Sequence, residues 1–306
     1  MGTGPSISVV MPTYNRRARL ARVLDALDQQ AIDTGAFEVI IVDDGSTNDT
    51  SSWLDAQRRR YELSVIHQKN SGPARARNAG IERSRAELVL FLDDDVEPSP
   101  ELVKEHLSSH EQEKDVVVIG PMASLSEYRQ AWVAWEQKKL EAQYAAMGRG
   151  DWAPTYRQFW TGNASLARAH LRDAGGFNPD FLRAEDVELG YRLHKRGLKF
   201  RFNPRARGLH HAERSLGSWE LMHQKYGELE VRIFGMWEEG ALINILASNW
   251  TRLHPATRWL VRGSLVNPLY HRALVSMMRG YLEAEAKLNR PVLSGKICSA
   301  FANVIY

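Results

Sequence analysis

Five short apolar runs, at residues 7–11, 37–42, 64–67, 87–92 and 115–120, alternate with four segments whose apolar residues recur at helical spacing. Those segments are 16–30, 49–60, 73–85 and 101–113. Leu20, Val23, Leu24 and Leu27 mark the buried stripe of the first. Pro73 opens the third, where a helix tolerates a missing amide hydrogen. A β-α-β-α-β-α-β-α-β series with nearly continuous apolar strands predicts a mostly parallel sheet covered on both faces by helices. In such sheets ligands collect at the carboxyl ends of the strands. Three of these ends read Pro12-Thr13-Tyr14-Asn15, Asp43-Asp44-Gly45-Ser46 and Asp93-Asp94-Asp95, so polar groups from distant places converge on one edge.

After Gly120 the alternation stops. Residues 127–147 read as a long helix, 159–167 as β-like, 169–174 as a short helix before the Gly175-Gly176 break, 186–196 as a helix and 199–202 as a strand. Residues 216–290 read as mainly helical.

Composition narrows the function classes. Hydrophobic residues are 43% of the 306, enough for a core, and a net charge of +3 gives no argument for a nucleic-acid partner. Cys298 is the single cysteine, which excludes an internal disulfide and a cysteine-rich zinc site and suits a reducing, cytoplasmic setting. No apolar run approaches the ~18 residues of a membrane span. The first strand begins almost at once, so no signal peptide is expected.

Neither G-x-G-x-x-G after the first strand nor G-x-x-x-x-G-K-[ST] is present. Strand-end carboxylates then suggest that a divalent cation, Mg²⁺ or Mn²⁺, handles phosphate charge, because such ions take one or two carboxylates plus phosphate oxygens. Asp93-Asp94-Asp95 is either that site or an acidic loop capping the next helix. Asp43-Asp44 is either a turn or an acceptor for a base edge or ribose. Arg75 and Arg77 lie near a helix start, where arginine suits diphosphate or simply solvent. Glu185-Asp186 opens a helix, as a plain cap or as a general base. The helix start is expected to keep Asp186 ionised at neutral pH. His210 and His211 point in different directions, so at most one of them would join a given metal.

Taken in order, Pro12-Thr13-Tyr14-Asn15-Arg16, Val42-Asp43-Asp44-Gly45-Ser46, Asn70-Ser71-Gly72 through Arg77-Asn78-Ala79-Gly80, Phe91-Leu92-Asp93-Asp94-Asp95, Gly175-Gly176-Phe177, Glu185-Asp186-Val187-Glu188-Leu189 and His210 resemble the family 2 glycosyltransferases of the GT-A fold. The resemblance covers about residues 7–215. It implies an α/β GT-A sheet with a Rossmann-like nucleotide-binding half and a mainly helical C-terminal extension. The catalytic domain would span 1–215, with 7–120 as the nucleotide-sugar half, 121–215 as the acceptor half, and 216–306 as the extension.

The resemblance further implies an inverting transferase using a nucleotide-diphospho-sugar, with UDP as the expected nucleotide. The acceptor would be a hydroxyl on a saccharide, a lipid-linked molecule or another compound. Position by position, Pro12 and Tyr14 would line the nucleoside pocket and Asp44 would bond the base edge. Arg77 would contact the diphosphate, and Asp93 and Asp94 would lie on the nucleotide-sugar side, Asp94 near the ribose. Asp95 and His210 would hold the metal, Asp186 would be the base with Glu185 beside it, and Trp160, Gly162 and Asn163 would form the acceptor-side loop. The family's membrane-bound synthases differ by their spans and a Gln-x-x-Arg-Trp signature, which this chain lacks. Two other readings stand beside this one. A nucleotidyltransferase would want a glycine-rich basic loop after the first strand, and a non-catalytic sugar- or lipid-surface-binding protein would have lost Asp95 or Asp186.

The C-terminal segment is distinct in charge. From residue 241 to 306 eight basic residues face only Glu283 and Glu285. With Trp250, Trp259, Leu260, Leu265 and Leu269 among them, the segment reads as a peripheral contact with an anionic membrane face. A helical cap, or an interface in a homo-oligomer, is the other reading.

Overall fold

The computed structural model describes residues 4–306 apart from 126, 129, 182, 238–240 and 289–293. Two compact units are formed, one by residues 1–125 and 140–211, the other by 126–139 and 212–306.

The first unit carries the parallel sheet expected from the alternation. Strands β1 (Ile7–Thr13), β2 (Phe37–Asp43), β3 (Glu62–His67) and β4 (Leu88–Leu92) run parallel in the order β3-β2-β1-β4. Three helices connect them: α1 (Arg17–Leu27), α2 (Thr50–Asp55) and α3 (Pro73–Arg83). Past β4, the short β5 (Val96–Pro98) and helix α4 (Leu102–Gln112) lead to β6 (Val116–Ile119) and β7 (Met122–Ser124). Helix α5 (Ala131–Gly148) precedes β8 (Asn163–Ala167), which lies antiparallel between β4 and β6. After α6 (Arg168–Asp173) and α7 (Glu185–Lys195), β9 (Lys199–Phe202) adds parallel to β6 and closes a seven-stranded sheet.

Alternate residues of the central strands enter separate cores. Val10, Ile40, Val42, Val89 and Phe91 face one side, while Val9, Met11, Val39, Ile41, Leu90 and Leu92 face the other. Burial on both faces is why these strands read as continuous apolar runs.

Strand order reverses between β1 and β4, which places the switch-point crevice at their carboxyl ends. Beside it sits a second sheet, β5-β10-β7, where β10 (Gly208–His210) runs antiparallel to β5 and parallel to β7. Its strands are three residues long, too short to show a period in the sequence.

The second unit contains α8 (Leu216–Trp237), α9 (Ala241–Arg252), α10 (Pro255–Val266), α11 (Pro268–Leu288) and α12 (Ser294–Ile305). Its core holds Trp219, Leu282, Cys298 and Phe301 without exposure, and the first turns of α5 join it through Trp132 and Val133.

Under β8 lies a buried polar chain. Asn163 donates both amide hydrogens, to the carbonyls of Pro121 (3.1 Å) and Ala206 (2.8 Å), so its Oδ1 must accept from His106 Nε2 at 2.9 Å. His106 Nδ1 then accepts from the Ser165 hydroxyl at 2.7 Å, and His110 Nε2 donates to Ser165 Oγ at 2.8 Å. His110 Nδ1 is left as a bare acceptor without a partner. Every ring is thus neutral, and burial pushes both histidines down to about 4.

A histidine with a lowered folded pKa destabilises the fold as the unfolded chain takes up protons first. Stability should therefore fall from pH 6.5 towards 4, by on the order of 3 kcal/mol per histidine. Urea unfolding followed across that window checks this, and His106→Gln with His110→Gln should flatten the decline.

Candidate active site

Site geometry begins at the β1–α1 turn. Asn15 takes a left-handed φ of 56°, uncommon outside glycine. Its side chain compensates by accepting from the Thr47 and Asn48 amides at 2.8 and 3.2 Å, and its own amide donates to Ser46 Oγ. This ties the turn after β1 to the loop after β2. The chain then enters α1 with Arg16 aimed across the crevice.

Asp94 and Asp95 are buried opposite it. Thr13 Oγ1 donates to Asp94 Oδ2 at 2.7 Å, bridging the ends of β1 and β4. Arg16 Nη1 reaches Asp94 Oδ1 at 2.9 Å and Asp95 Oδ2 at 2.8 Å, with Arg19 3.6 Å from Asp95. Burial, reinforced by the charge of Asp95, nevertheless pushes Asp94 up to about 6 against the pull of Arg16. His210 Nε2 stands 3.6 Å from Asp95 Oδ1, because β10 pairs with β5 in a register that sets His210 against Val96. His211 turns the other way, to Glu97 at 2.8 Å.

Among the described residues no group of three or more His, Cys, Asp or Glu side chains forms a metal cage. Asp95 with His210 offers two donors beside an under-compensated carboxylate. That fits a hard cation whose remaining positions are filled by phosphate oxygens and water.

Asp44 is buried and organised. Its Oδ1 accepts from Gln68 Nε2 (2.7 Å) and the Ser71 amide (2.9 Å), and its Oδ2 accepts from the Gly72 amide (2.9 Å). One lone pair of Oδ2 remains for a ligand. Pro12 is half-buried in β1 opposite Val42, and Tyr14 stands exposed beside the turn. Asp43, by contrast, serves the loop itself through Ser46, Ser51 and His67.

Arg77 departs from its expected place. Its side chain is buried, with Nη1 on Glu185 Oε1 at 2.7 Å and Nη2 on Asp93 Oδ1 at 3.0 Å. Burial opposes its charge, but Asp93 and Glu185 outweigh it and hold the guanidinium cationic. Both terminal nitrogens face carboxylates, leaving Arg16 as the solvent-facing guanidinium over the Asp94–Asp95 pair. The Gly175-Gly176-Phe177 turn has a matching role. Asn78 Nδ2 donates to the Phe177 carbonyl and Asn78 Oδ1 accepts from its amide, both at 2.8 Å. A Cβ on Gly176 would meet Asn78 Oδ1 at 2.6 Å, and its φ is 71°.

Glu185 and Asp186 start α7 after Ala184, itself left-handed at φ 53°. The Val187 amide donates to Asp186 Oδ1 at 2.8 Å, as a helix start provides. That is insufficient to keep the acid in its usual range. Burial first, then the neighbouring Glu185 charge, push Asp186 up to about 7, with Arg77 pulling the other way. The sequence-based expectation of an Asp186 ionised throughout the neutral range is therefore corrected, because desolvation outweighs the helix terminus.

On the opposite wall Trp160 is half-buried, edge-on to Tyr144 at 5.6 Å. Gly162 permits a close approach, since a Cβ there would lie 2.9 Å from Asp93 Oδ2 and 2.4 Å from Met122 Sδ. Asn163 has no exposure and its amide is fully engaged beneath β8, so it does not face the cleft. The crevice thus brings together residues from β1, β2, β4, α3, α7 and β10. Arg16 was missed by the sequence reading, although its place right after Asn15 in the turn was a usable signal.

Residues 8–173, more than half of the chain, match glycosyl transferase family 2, and the chain belongs to that family. It is 33% identical over 221 residues to validoxylamine A glucosyltransferase of Streptomyces hygroscopicus subsp. jinggangensis, covering 63% of this chain and 52% of that one. It is 28% identical over 233 residues to hyaluronan synthase of Pasteurella multocida, covering 64% and 23%. The chain therefore spans about half the length of the first of these relatives, and less of the second. Two solved structures share the fold. One is the mannosyltransferase PcManGT from Pyrobaculum calidifontis in complex with GDP-Man and Mn²⁺, with TM-score 0.58, 19% identity and coverage of 94% and 87%. The other is S. aureus TarS 1–349 in complex with UDP, with TM-score 0.55, 18% identity and coverage of 97% and 89%.

Removing one member of a buried ion pair strands the other. Arg77→Met should lower stability by about 3–5 kcal/mol in urea unfolding. Adding Glu185→Gln to that variant should recover part of the loss.

Proposed function

We propose that the protein transfers a sugar, with inversion, from a nucleotide-diphospho-sugar to an acceptor hydroxyl, with Asp186 as the general base. The observation that carries this reading is the division of charge at the start of α7. Glu185 is neutralised by Arg77, while Asp186 is left to exchange a proton near pH 7. UDP is the proposed nucleotide, with Asp44 Oδ2 accepting from the base edge and Pro12 and Tyr14 flanking the ring.

In-line attack needs a base on the face of the sugar away from the leaving diphosphate. Asp186 accepts the hydroxyl proton as the bond to the anomeric carbon forms and the bond to the diphosphate oxygen breaks. A base with a pKa near the working pH combines a useful ionised fraction with a useful proton affinity. A divalent cation held by Asp95 and His210 would supply charge stabilisation to the departing diphosphate. Arg16 then leaves Asp94 and Asp95 and takes up a diphosphate oxygen. Asp94 turns to the ribose, Asp93 keeps Arg77 and Glu185 in register, and Trp160 and Gly162 border the acceptor. The acceptor is proposed as a hydroxyl of a saccharide or of a lipid-linked or other small molecule.

Release of UDP from a panel of UDP-sugars with Mn²⁺ tests the reading. Asp186→Asn should lower turnover by roughly 10²–10⁴ while donor affinity, measured by calorimetry, stays within about twofold. If Asp186→Asn kept near-normal turnover and Glu185→Gln lost it, the roles would be reversed. The base works deprotonated, so turnover should rise with pH through an apparent pKa of about 7 and level off above it. Excess EDTA, or Asp95→Ala, should abolish turnover; full activity in EDTA would remove the cation from the scheme.

A further inference from the structure

The second unit presents a corner that the transfer chemistry does not use. Residues 265–269, where α10 meets α11, are all exposed. Leu265, Val266 and Leu269 keep 79%, 83% and 73% of their surface accessible, and Trp259, about two turns earlier on α10, keeps 68%. Four large apolar side chains this exposed and this close form a patch of the kind that marks an interaction surface.

Exposure at this corner is fixed by the structure. Asn267 Oδ1 accepts from the amides of Leu269 and Tyr270 at 2.9 and 3.2 Å, capping α11 at its first turn. The two helices cross closely at Gly263, where a Cβ would stand 2.6 Å from Tyr270 Cε1. Tyr270 in turn packs edge-on to Trp259, with ring centroids 6.2 Å apart. Leu274, Met278 and Leu282, at i, i+4 and i+8 on α11, are anchored in the unit's core. Leu269 and Arg272 are left on the exposed side of that helix.

Charge around the corner selects the partner. From residue 241 to 282 the sequence has no Asp or Glu but contains Arg252, Arg258, Arg262, Arg272 and Arg279. Arg279 is paired with Glu220, and Arg262 lies over the Trp250 ring at 5.4 Å. Arg258 and Arg262, the latter exposed, precede the apolar tip in the chain, and Arg272 follows it. A second copy of the chain is a poor match, because a two-fold contact would set arginines against arginines with no carboxylate between them. A nucleic acid would satisfy the arginines but leave the leucines and valine in water. A surface with anionic groups above a hydrocarbon layer satisfies both.

We propose that the α10–α11 corner docks on an anionic lipid surface, with Leu265, Val266, Leu269 and Trp259 entering the acyl boundary and Arg258, Arg262 and Arg272 at the headgroups. Among the described residues no helix is long and apolar enough to cross a membrane, so this contact lies in the plane of the interface. Arg290, counted in the charge of the segment, lies outside the described residues.

The test uses the full chain without donor or acceptor, so its result is independent of the proposed transfer reaction. Flotation with vesicles of phosphatidylcholine containing 30% phosphatidylserine, a content on the order of that of an anionic leaflet, should carry the protein upward at low salt. Vesicles of phosphatidylcholine alone should not. Leu265→Glu with Val266→Glu should weaken binding at least about tenfold. Arg258→Gln with Arg262→Gln and Arg272→Gln should weaken it by about 100-fold. Both variants should retain wild-type circular dichroism, and the charge variant keeps the test open if the apolar one fails to fold. Absence of flotation at low salt, or equal flotation of a folded variant, overturns the proposal. So does a dimer in light scattering that the Leu265→Glu, Val266→Glu variant converts to monomer, since the corner would then be occupied by a second copy.

Discussion

Arg77 joins three parts of the first unit that the chain order keeps apart. It projects from α3 and bonds Asp93 at the end of β4 and Glu185 at the start of α7. Burying a guanidinium and a carboxylate is expensive unless the pair is well made, because the desolvation of each ion runs to several kcal/mol. The surrounding structure makes it well. Asn78, the next residue, clamps both backbone groups of Phe177, and the Arg77 guanidinium lies 5.7 Å from the Phe177 ring. Glycine at 80 lets α3 approach β1, where a Cβ would meet Val10 Cγ1 at 2.3 Å. Arg77 bonds Glu185 directly and acts on the adjacent Asp186 through its charge. Burial first, and then the Glu185 charge, push Asp186 up against the remaining pull of Arg77.

The two arginines of the crevice differ in one respect that governs their chemistry. Arg77 is buried, and a buried pair broken at one end strands a charge. Arg16 bonds the Asp94–Asp95 pair from the solvent side, with 42% of its side chain accessible. Its carboxylate partners are buried, but the guanidinium itself reaches solvent, where an incoming anion can meet it. The same side-chain chemistry is thus enclosed at one site and open to solvent at the other. The carboxylates under Arg16 sit at the strand-order reversal.

How much of this was legible in the sequence follows from the range of the interactions. The strands β1, β2, β4 and β6 were readable because burial on both faces leaves an unbroken apolar run, as in 39–42 and 88–92. The acidic strand ends were readable because connectivity alone puts them on one edge. The strands β5, β7 and β10 were not, since three residues carry no period, yet their pairing is what brings His210 to Asp95. Nor could the sequence say that Arg77 turns inward. An Arg at a helix start is compatible with solvent, phosphate or a buried carboxylate, and the choice depends on Asp93 and Glu185, 16 and 108 positions away. Asn163 had the look of a loop residue because its partners, His106 and two carbonyls, are equally distant in the chain.

Asp186 shows why a local rule can point the wrong way. A carboxylate in the first turn of a helix receives backbone hydrogen bonds and a favourable dipole, worth 0.3–1 kcal/mol near a surface. Burial and an adjacent like charge act in the opposite sense, and for a desolvated acid they reach several pKa units. The larger effect wins, and the acid moves to about 7. For the proposed role this is an advantage. An ordinary aspartate is a weak proton acceptor for an alcohol, however completely it is ionised, while one near 7 trades part of its ionised fraction for greater affinity for the proton. The glutamate next door has a different partner. It is bonded to Arg77, so the reach of a single guanidinium gives the two neighbouring carboxylates different surroundings.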